Sequence, residues 1–258
     1  MTVQSLLDSL PAYVLVFFRV AAAMVFAPLI GSVRIPRLVR VMLAMVLAAG
    51  LAPCVPPPVR WPGDTWSLAA GIAGEILFGF AMGMAMNFVF IAVQWAGEII
   101  AQQMGLTLAA VFDPSTGQQG TVMSDLYFMM TLTVFLVLGG HHALLIGVWK
   151  SFDALPLLSV GIDAHVFDLL VRLLHACTVL AFQLAAPVLV TMLVVDLALG
   201  FIGKTMPQIN VMSAGVSMRG LVSMVVVLVG LGLTGSVIGK AIERSMSVII
   251  SSWSTVHG

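Results

Sequence analysis

Asn87, Gln94, Glu98 and Gln102 follow one another at steps of seven, four and four residues, a spacing that stacks amides and a carboxylate on one face of a helix. Such a stripe needs water or polar partners. Two readings of it stand side by side: hydrogen bonds that hold a helical bundle together, or the wall of a water-lined conduit, toward which Glu98 tilts the balance. Glu75, Asp125 and Asp196 are acids in apolar surroundings. Buried acids of that kind relay protons through membranes, and the alternative for each is a helix end or a basic partner. His141 and His142 follow Gly139 and Gly140. Adjacent histidines point in different directions on a helix, which makes a poor metal clasp and a better interface or cap. The sequence holds no nucleophile with a base at a diagnostic spacing, no HExxH, no phosphate loop and no dinucleotide fingerprint. An enzyme is the least supported class, and no metal or cofactor is expected.

The elements that must position these residues are helical. Trp66 to about Met104 contains no proline and reads as one helix, longer than a bilayer core requires at about 1.5 Å per residue. Its first half carries Gly71, Gly74, Gly79 and Gly83, and the last two form a small-xxx-small pair that lets another backbone approach closely. After it comes MGLTLAAVFDPSTGQQG, Met104 to Gly120, with no Lys or Arg and a single acid, Asp113. Pro114 and Gly117 give this loop a tight tip. Irregular apolar backbone between apolar helices survives when it is buried in protein or lines a cavity, which places the loop inside an assembly or at a pore. The competing expectation is an ordinary solvent-exposed loop.

Composition sets the solvent. Of 258 residues, 60% are hydrophobic and 9% charged, with a mean hydropathy of +1.12. About a quarter of an average soluble protein is charged. Apolar stretches at Pro11 to Ile30, Val41 to Ala52, Trp66 to Ala96, Leu126 to Leu138, Val166 to Ile202 and Leu221 to Ile238 approach the roughly 20 residues that cross hydrocarbon. Together they predict an all-α integral membrane protein of about six hydrophobic elements. No polar linker divides it, so residues 1–258 are expected to form a single membrane domain. A formal net charge of zero argues against a nucleic-acid partner. Cys54 and Cys177 lack the number and spacing of a disulfide framework. The first apolar run is interrupted by Arg19 and preceded by no Lys or Arg, so it is expected to remain as a helix rather than be cleaved. Arg34, Arg37 and Arg40 crowd a short loop after it, which the positive-inside rule assigns to the cytoplasm. Pro187 breaks one later apolar run, with no matching break elsewhere to suggest the repeats of a secondary transporter.

A series of short motifs runs along the whole chain: Arg34, Pro36 and Arg40; Gly97 to Leu106, reading GEIIAQQMGL; Phe112-Asp113-Pro114; Gly140-His141; Ala186-Pro187 with Asp196; Leu199-Gly200; and Met206 to Val211, reading MPQINV. In order and spacing the series resembles the FliR family, the flagellar counterpart of the SctT injectisome subunits. Lys204 departs from the arginine expected in many relatives, which keeps the charge and loses the bidentate fork. The resemblance implies a single-copy subunit of a ring-like export gate, built with FliP and FliQ, attended by FlhB and FlhA, and passing unfolded export substrates. Its setting would be membrane lipid of the bacterial inner membrane, at the flagellar basal body. It also implies long kinked helices and helical hairpins, with a FliP-like part over about residues 1–165 and a FliQ-like hairpin over about 166–258. By the same analogy Leu106, Leu108, Val111, Phe112, Asp113, Pro114 and Gly117 belong to a channel plug. The resemblance leaves an injectisome subunit as the alternative, and a small-solute transporter or intramembrane enzyme as remoter ones.

Overall fold

The computed structural model describes residues 3–28, 30–31, 35–56, 64–106, 121–158, 164–206 and 211–251. Seven α-helices account for nearly all of them: α1 (Val3–Phe26), α2 (Arg37–Leu51), α3 (Thr65–Gln103), α4 (Val122–Val137), α5 (Gly140–Ala154), α6 (Ala164–Thr205) and α7 (Val211–Ser251), with a turn of 3-10 helix at Ala52–Cys54. No strand occurs among the described residues. The protein is an all-α integral membrane protein. Four helices are long and apolar enough to cross a membrane: α2 with its 3-10 turn, α3, α6 and α7. A fifth span results if α4 and α5 are one broken crossing. By contrast the apolar part of α1, Ala12–Phe26, is too short to qualify, and Arg19 sits in its middle.

Helix ends follow local chemistry. The 39 residues of α3 run without proline and stop at Gly105, whose φ of +76° is a left-handed conformation that glycine adopts without strain. Gly139, at φ +69°, ends the run of α4 and opens α5 in the same way. Arg37 and Arg40 do not lie in a loop: they occupy the first turn of α2, where Pro36 presets the backbone and the Arg40 guanidinium donates to the Ile35 carbonyl at 2.9 and 3.2 Å. Arg34 falls outside the described residues. Pro187 does not break its run either. It lies inside the 42-residue α6, because a membrane helix tolerates the one lost backbone bond where neighbours support it.

The packing divides into two compact units, neither continuous in sequence. The first comprises Met1–Phe88, Leu138–Leu174 and Ile242–Gly258, and its core is α1 against the first half of α3 and against α5. Gly79 faces the Arg19 carbonyl and Ala22 so closely that a Cβ there would overlap both. A Cβ on Gly83 would lie 2.5 Å from the Ala23 carbonyl oxygen and 2.9 Å from the Phe26 Cβ. Phe26 meets Phe80 edge-on at 4.5 Å. The close approach permitted by the two glycines is therefore an approach of α1 within the same chain.

The second unit comprises Val89–Val137 and His175–Ala241. Phe90 packs edge-on against Phe128 and Phe135 at 5.7 and 5.5 Å, joining α3 to α4. Here α6 and α7 form an antiparallel hairpin, since Leu199 meets Gly215, Asp196 meets Arg219, and Met192 meets Ser223. As one number falls by three and then four, the other rises by four each time, which is the ridge spacing of packed helices.

Candidate functional site

Three places bring polar chemistry into this apolar chain. The first is the stripe on α3. Asn87, Gln94 and Glu98 are half-buried and Gln102 is exposed, while Ala85, Ala92, Val93 and Ala96 on the other faces are fully buried. Among the described residues Asn87 makes a long contact to the Met84 sulfur at 3.9 Å. Glu98 has a definite partner within the chain: its Oε2 accepts a hydrogen bond from the Thr121 hydroxyl at 3.0 Å. The stripe ends where the loop begins, and of the loop residues singled out as plug only Leu106, which is exposed, can be described. Leu108, Val111, Phe112, Asp113, Pro114 and Gly117 lie outside the described residues.

The second place escaped sequence reasoning. Arg19 of α1 and Glu75 of α3 form an ion pair, Nε to Oε2 at 2.5 Å, with both side chains fully buried. Arg19 Nη1 also donates to the Ser151 carbonyl and hydroxyl, each at 3.3 Å, and to the Leu155 carbonyl at 3.1 Å. These carbonyls belong to the end of α5, so the arginine caps the negative end of a helix other than its own. Phe78 and Phe152 flank the guanidinium, their ring centres 4.9 and 4.4 Å away, adding cation–π attraction on a desolvated charge. Glu75 uses its other oxygen to accept the Leu158 N–H at 3.0 Å, holding Leu158 at φ +64°. A leucine in the left-handed region costs of order 1 kcal/mol or more, which the surrounding contacts offset. A signal for this centre existed: Arg19 and Glu75 are opposite charges, each alone in an apolar run, and a membrane leaves such charges few partners except each other.

The third place is the pair Asp196 and Arg219 in the hairpin, 2.6 Å apart with side chains 40% and 41% exposed. Among the described residues Arg219 Nε and Asp196 Oδ1 have no hydrogen-bond partner there, as Arg19 Nη2 has none in the enclosed pair. Of the three acids in apolar context, then, Glu75 and Asp196 have basic partners and Asp125 sits in the first turn of α4, where a carboxylate complements the helix dipole. His141 and His142 do not diverge: their rings lie 4.2 Å apart, tilted by 43°, at the start of α5. Among the described residues no three His, Cys, Asp or Glu side chains converge as metal ligands would. Cys177 is buried and Cys54 exposed, and neither is bonded to another cysteine.

Comparison with known proteins decides what such a chain is. The profile of the family described as Bacterial export proteins, family 1, matches residues 10–245. The flagellar biosynthetic protein FliR of Bacillus subtilis (strain 168) is 32% identical over 231 residues, 87% of this chain and 88% of that protein. The chain belongs to the FliR family of bacterial export proteins. FliR of Escherichia coli (strain K12) is 30% identical over 83% of this chain and 82% of its own length, and that of Aquifex aeolicus (strain VF5) is 28% identical over 84% of each. Membership covers every place described above, from Arg19 to Arg219. In this FliR-family chain Lys204 is exposed in the last turn of α6, where any cation favours the helix dipole, so lysine serves that purpose as well as arginine.

Proposed function

We propose that this FliR-family chain is a subunit of the flagellar protein export gate, contributing part of the channel wall and its plug as unfolded substrates pass through the bacterial inner membrane at the basal body. The observation that carries the reading is the family match over residues 10–245, joined to a chain that leaves much of its apolar helix surface uncovered. Only 17% of the spanning windows of α2, α6 and α7 is buried within the chain, against 61% for α3. Lipid covers such surface as readily as protein does; in this reading neighbouring subunits cover part of it, FliP and FliQ being the proposed ones, with FlhB and FlhA beyond them. The α6–α7 hairpin, beginning at Ala164, supports the division into a FliP-like part over about 1–165 and a FliQ-like part over about 166–258. The polar stripe Asn87, Gln94, Glu98 and Gln102 would face the lumen or a neighbouring subunit.

The plug would be the segment between α3 and α4, with Leu106, Leu108, Val111, Phe112, Asp113, Pro114 and Gly117 as its seal. An apolar constriction resists ions by dewetting and yields when a substrate chain displaces it. Opening requires a ligand with higher affinity for the open state, here the substrate itself. Shortening the loop within Ala110 to Gln118 should leave the complex assembled and raise its ionic leak, and Pro114→Gly should act in the same direction more weakly. Conductance of purified complexes checks both. A leak-free deletion rules the loop out as the main seal.

A further inference from the structure

Two helix ends meet at Thr121, and both are built to hold still. At the end of α3, Leu106 N–H donates to the Ala101 carbonyl and Gly105 N–H to the Gln102 carbonyl, both at 3.1 Å. With Gly105 left-handed, this is the paired bonding of a Schellman cap. At the start of α4, the Thr121 hydroxyl accepts the Ser124 N–H at 3.3 Å while the Thr121 carbonyl accepts the Asp125 N–H at 3.1 Å, the pattern of an N-cap. One threonine hydroxyl carries one proton, and that proton goes to Glu98 Oε2 at 3.0 Å. Donating in that direction aims the hydroxyl's lone pair at Ser124. One residue away, Gly97 lets the two helices touch: a Cβ there would lie 2.6 Å from Ser124 Cα and 2.9 Å from the Met123 carbonyl oxygen.

We propose that Glu98 is a positioning residue acting through Thr121, locking together the capped end of α3 and the capped start of α4. The inference rests on the plug reading only for its consequence: a fixed stem confines any displacement to the loop it carries. Glu98 then serves as a hydrogen-bond acceptor, and its charge in a conduit is not what the position requires. Glutamine keeps an acceptor oxygen and leucine does not; serine keeps the donor and valine does not.

The test places spin labels at Gln102 and Val122, both exposed, in assembled export complexes lacking the two native cysteines. The parent, Glu98→Gln and Thr121→Ser should give one narrow distance distribution. Glu98→Leu should broaden it by about twofold and Thr121→Val, nearly isosteric but also without the cap on the Ser124 N–H, by at least as much. The double variant should broaden it no further than Thr121→Val, as expected when the bond lost in Glu98→Leu is already lost there. A narrow distribution in Thr121→Val and Glu98→Leu overturns the proposal. So does broadening in Glu98→Gln equal to that in Glu98→Leu, which would make the charge the operative feature. The plug reading fails separately: a leak-free loop deletion removes it whatever the labels report, and a leaky deletion with an unbroadened Thr121→Val stem removes the lock instead.

Discussion

The two interhelical arginine–carboxylate pairs among the described residues make opposite use of the same chemistry. Arg19 and Glu75 are wholly enclosed, with two aromatic faces, two carbonyls and a backbone N–H completing their surroundings. Asp196 and Arg219 are about two-fifths exposed on a hairpin whose spanning windows are mostly uncovered. The first unit has thus paired its charges within the chain, although Arg19 Nη2 is buried with no hydrogen-bond partner among the described residues. The hairpin has left part of the task to whatever packs beside it. Glycines of the two helices differ in the same way: Gly79 and Gly83 of α3 are already met by α1, while a Cβ on Gly230 or Gly232 of α7 would meet nothing within 4 Å among the described residues beyond its own helix.

The largest effect should come from unbalancing the enclosed pair. Glu75→Leu leaves the Arg19 charge buried without its counter-ion and the Leu158 N–H without its acceptor, a loss of about 3–5 kcal/mol for a broken buried pair. The full-length chain in detergent should lose most of its yield and unfold at markedly lower temperature. Adding Arg19→Leu removes the stranded charge and should recover part of the loss, since paired apolar substitutes often restore stability. If the double variant is as poor as Glu75→Leu alone, the lost interaction lies elsewhere than in the charge balance.

A second test sets glycine against glycine. Gly83→Leu forces a side chain into the Ala23 carbonyl and Phe26, so the chain itself should fail to accumulate, with or without partner subunits. Gly230→Leu meets open space within the chain and should accumulate normally, aided by up to about 1 kcal/mol of helix propensity. Its cost should appear only in co-purification of partner subunits, because small residues on membrane helices mark close approach by another backbone. Equal behaviour of the two variants would erase the distinction between a closed unit and an open hairpin.

How much of this was legible in the sequence depends on the range of the interactions. An uninterrupted apolar run without proline marked α3 to within a residue at either end, because helix continuity is local. Proline was a weaker guide: Pro187 reads as a break only if the lost bond cannot be tolerated, and a packed membrane helix tolerates it. The composite centre at Arg19 was half legible: the lone opposite charges Arg19 and Glu75 hinted at a pair, but its partners lie 56 and 132 or more residues away, on helices whose relative rotation no spacing rule supplies. No such hint marked the Glu98–Thr121 bond, since a residue beyond the loop completes it. The resemblance to FliR, carried by motifs spread across the chain, was the part of the sequence that did reach function.

The smallest effect, and the one that most sharpens the comparison, concerns the exposed pair. Asp196→Asn removes the charge from an oxygen that meets Arg219 Nη2 at 2.6 Å as an ion-pair contact without hydrogen-bond geometry, and leaves an amide of the same shape. Polar contacts between membrane helices average about 0.6 kcal/mol, partly because the separated helices find other partners, so the full-length chain in detergent should shift its unfolding by no more than about 1 kcal/mol. In the assembled gate the outcome should differ. A neighbour that covers the hairpin removes the solvent or detergent that screens Arg219, and its already unpartnered Nε then becomes part of a buried, uncompensated cation. Asp196→Asn should therefore weaken the assembled complex several-fold more than it weakens the chain alone, measured as loss of partner subunits against loss of folded chain over one temperature ramp. Equal losses in the two settings would mean that the hairpin pair is as self-contained as Arg19 and Glu75, and that nothing packs over it.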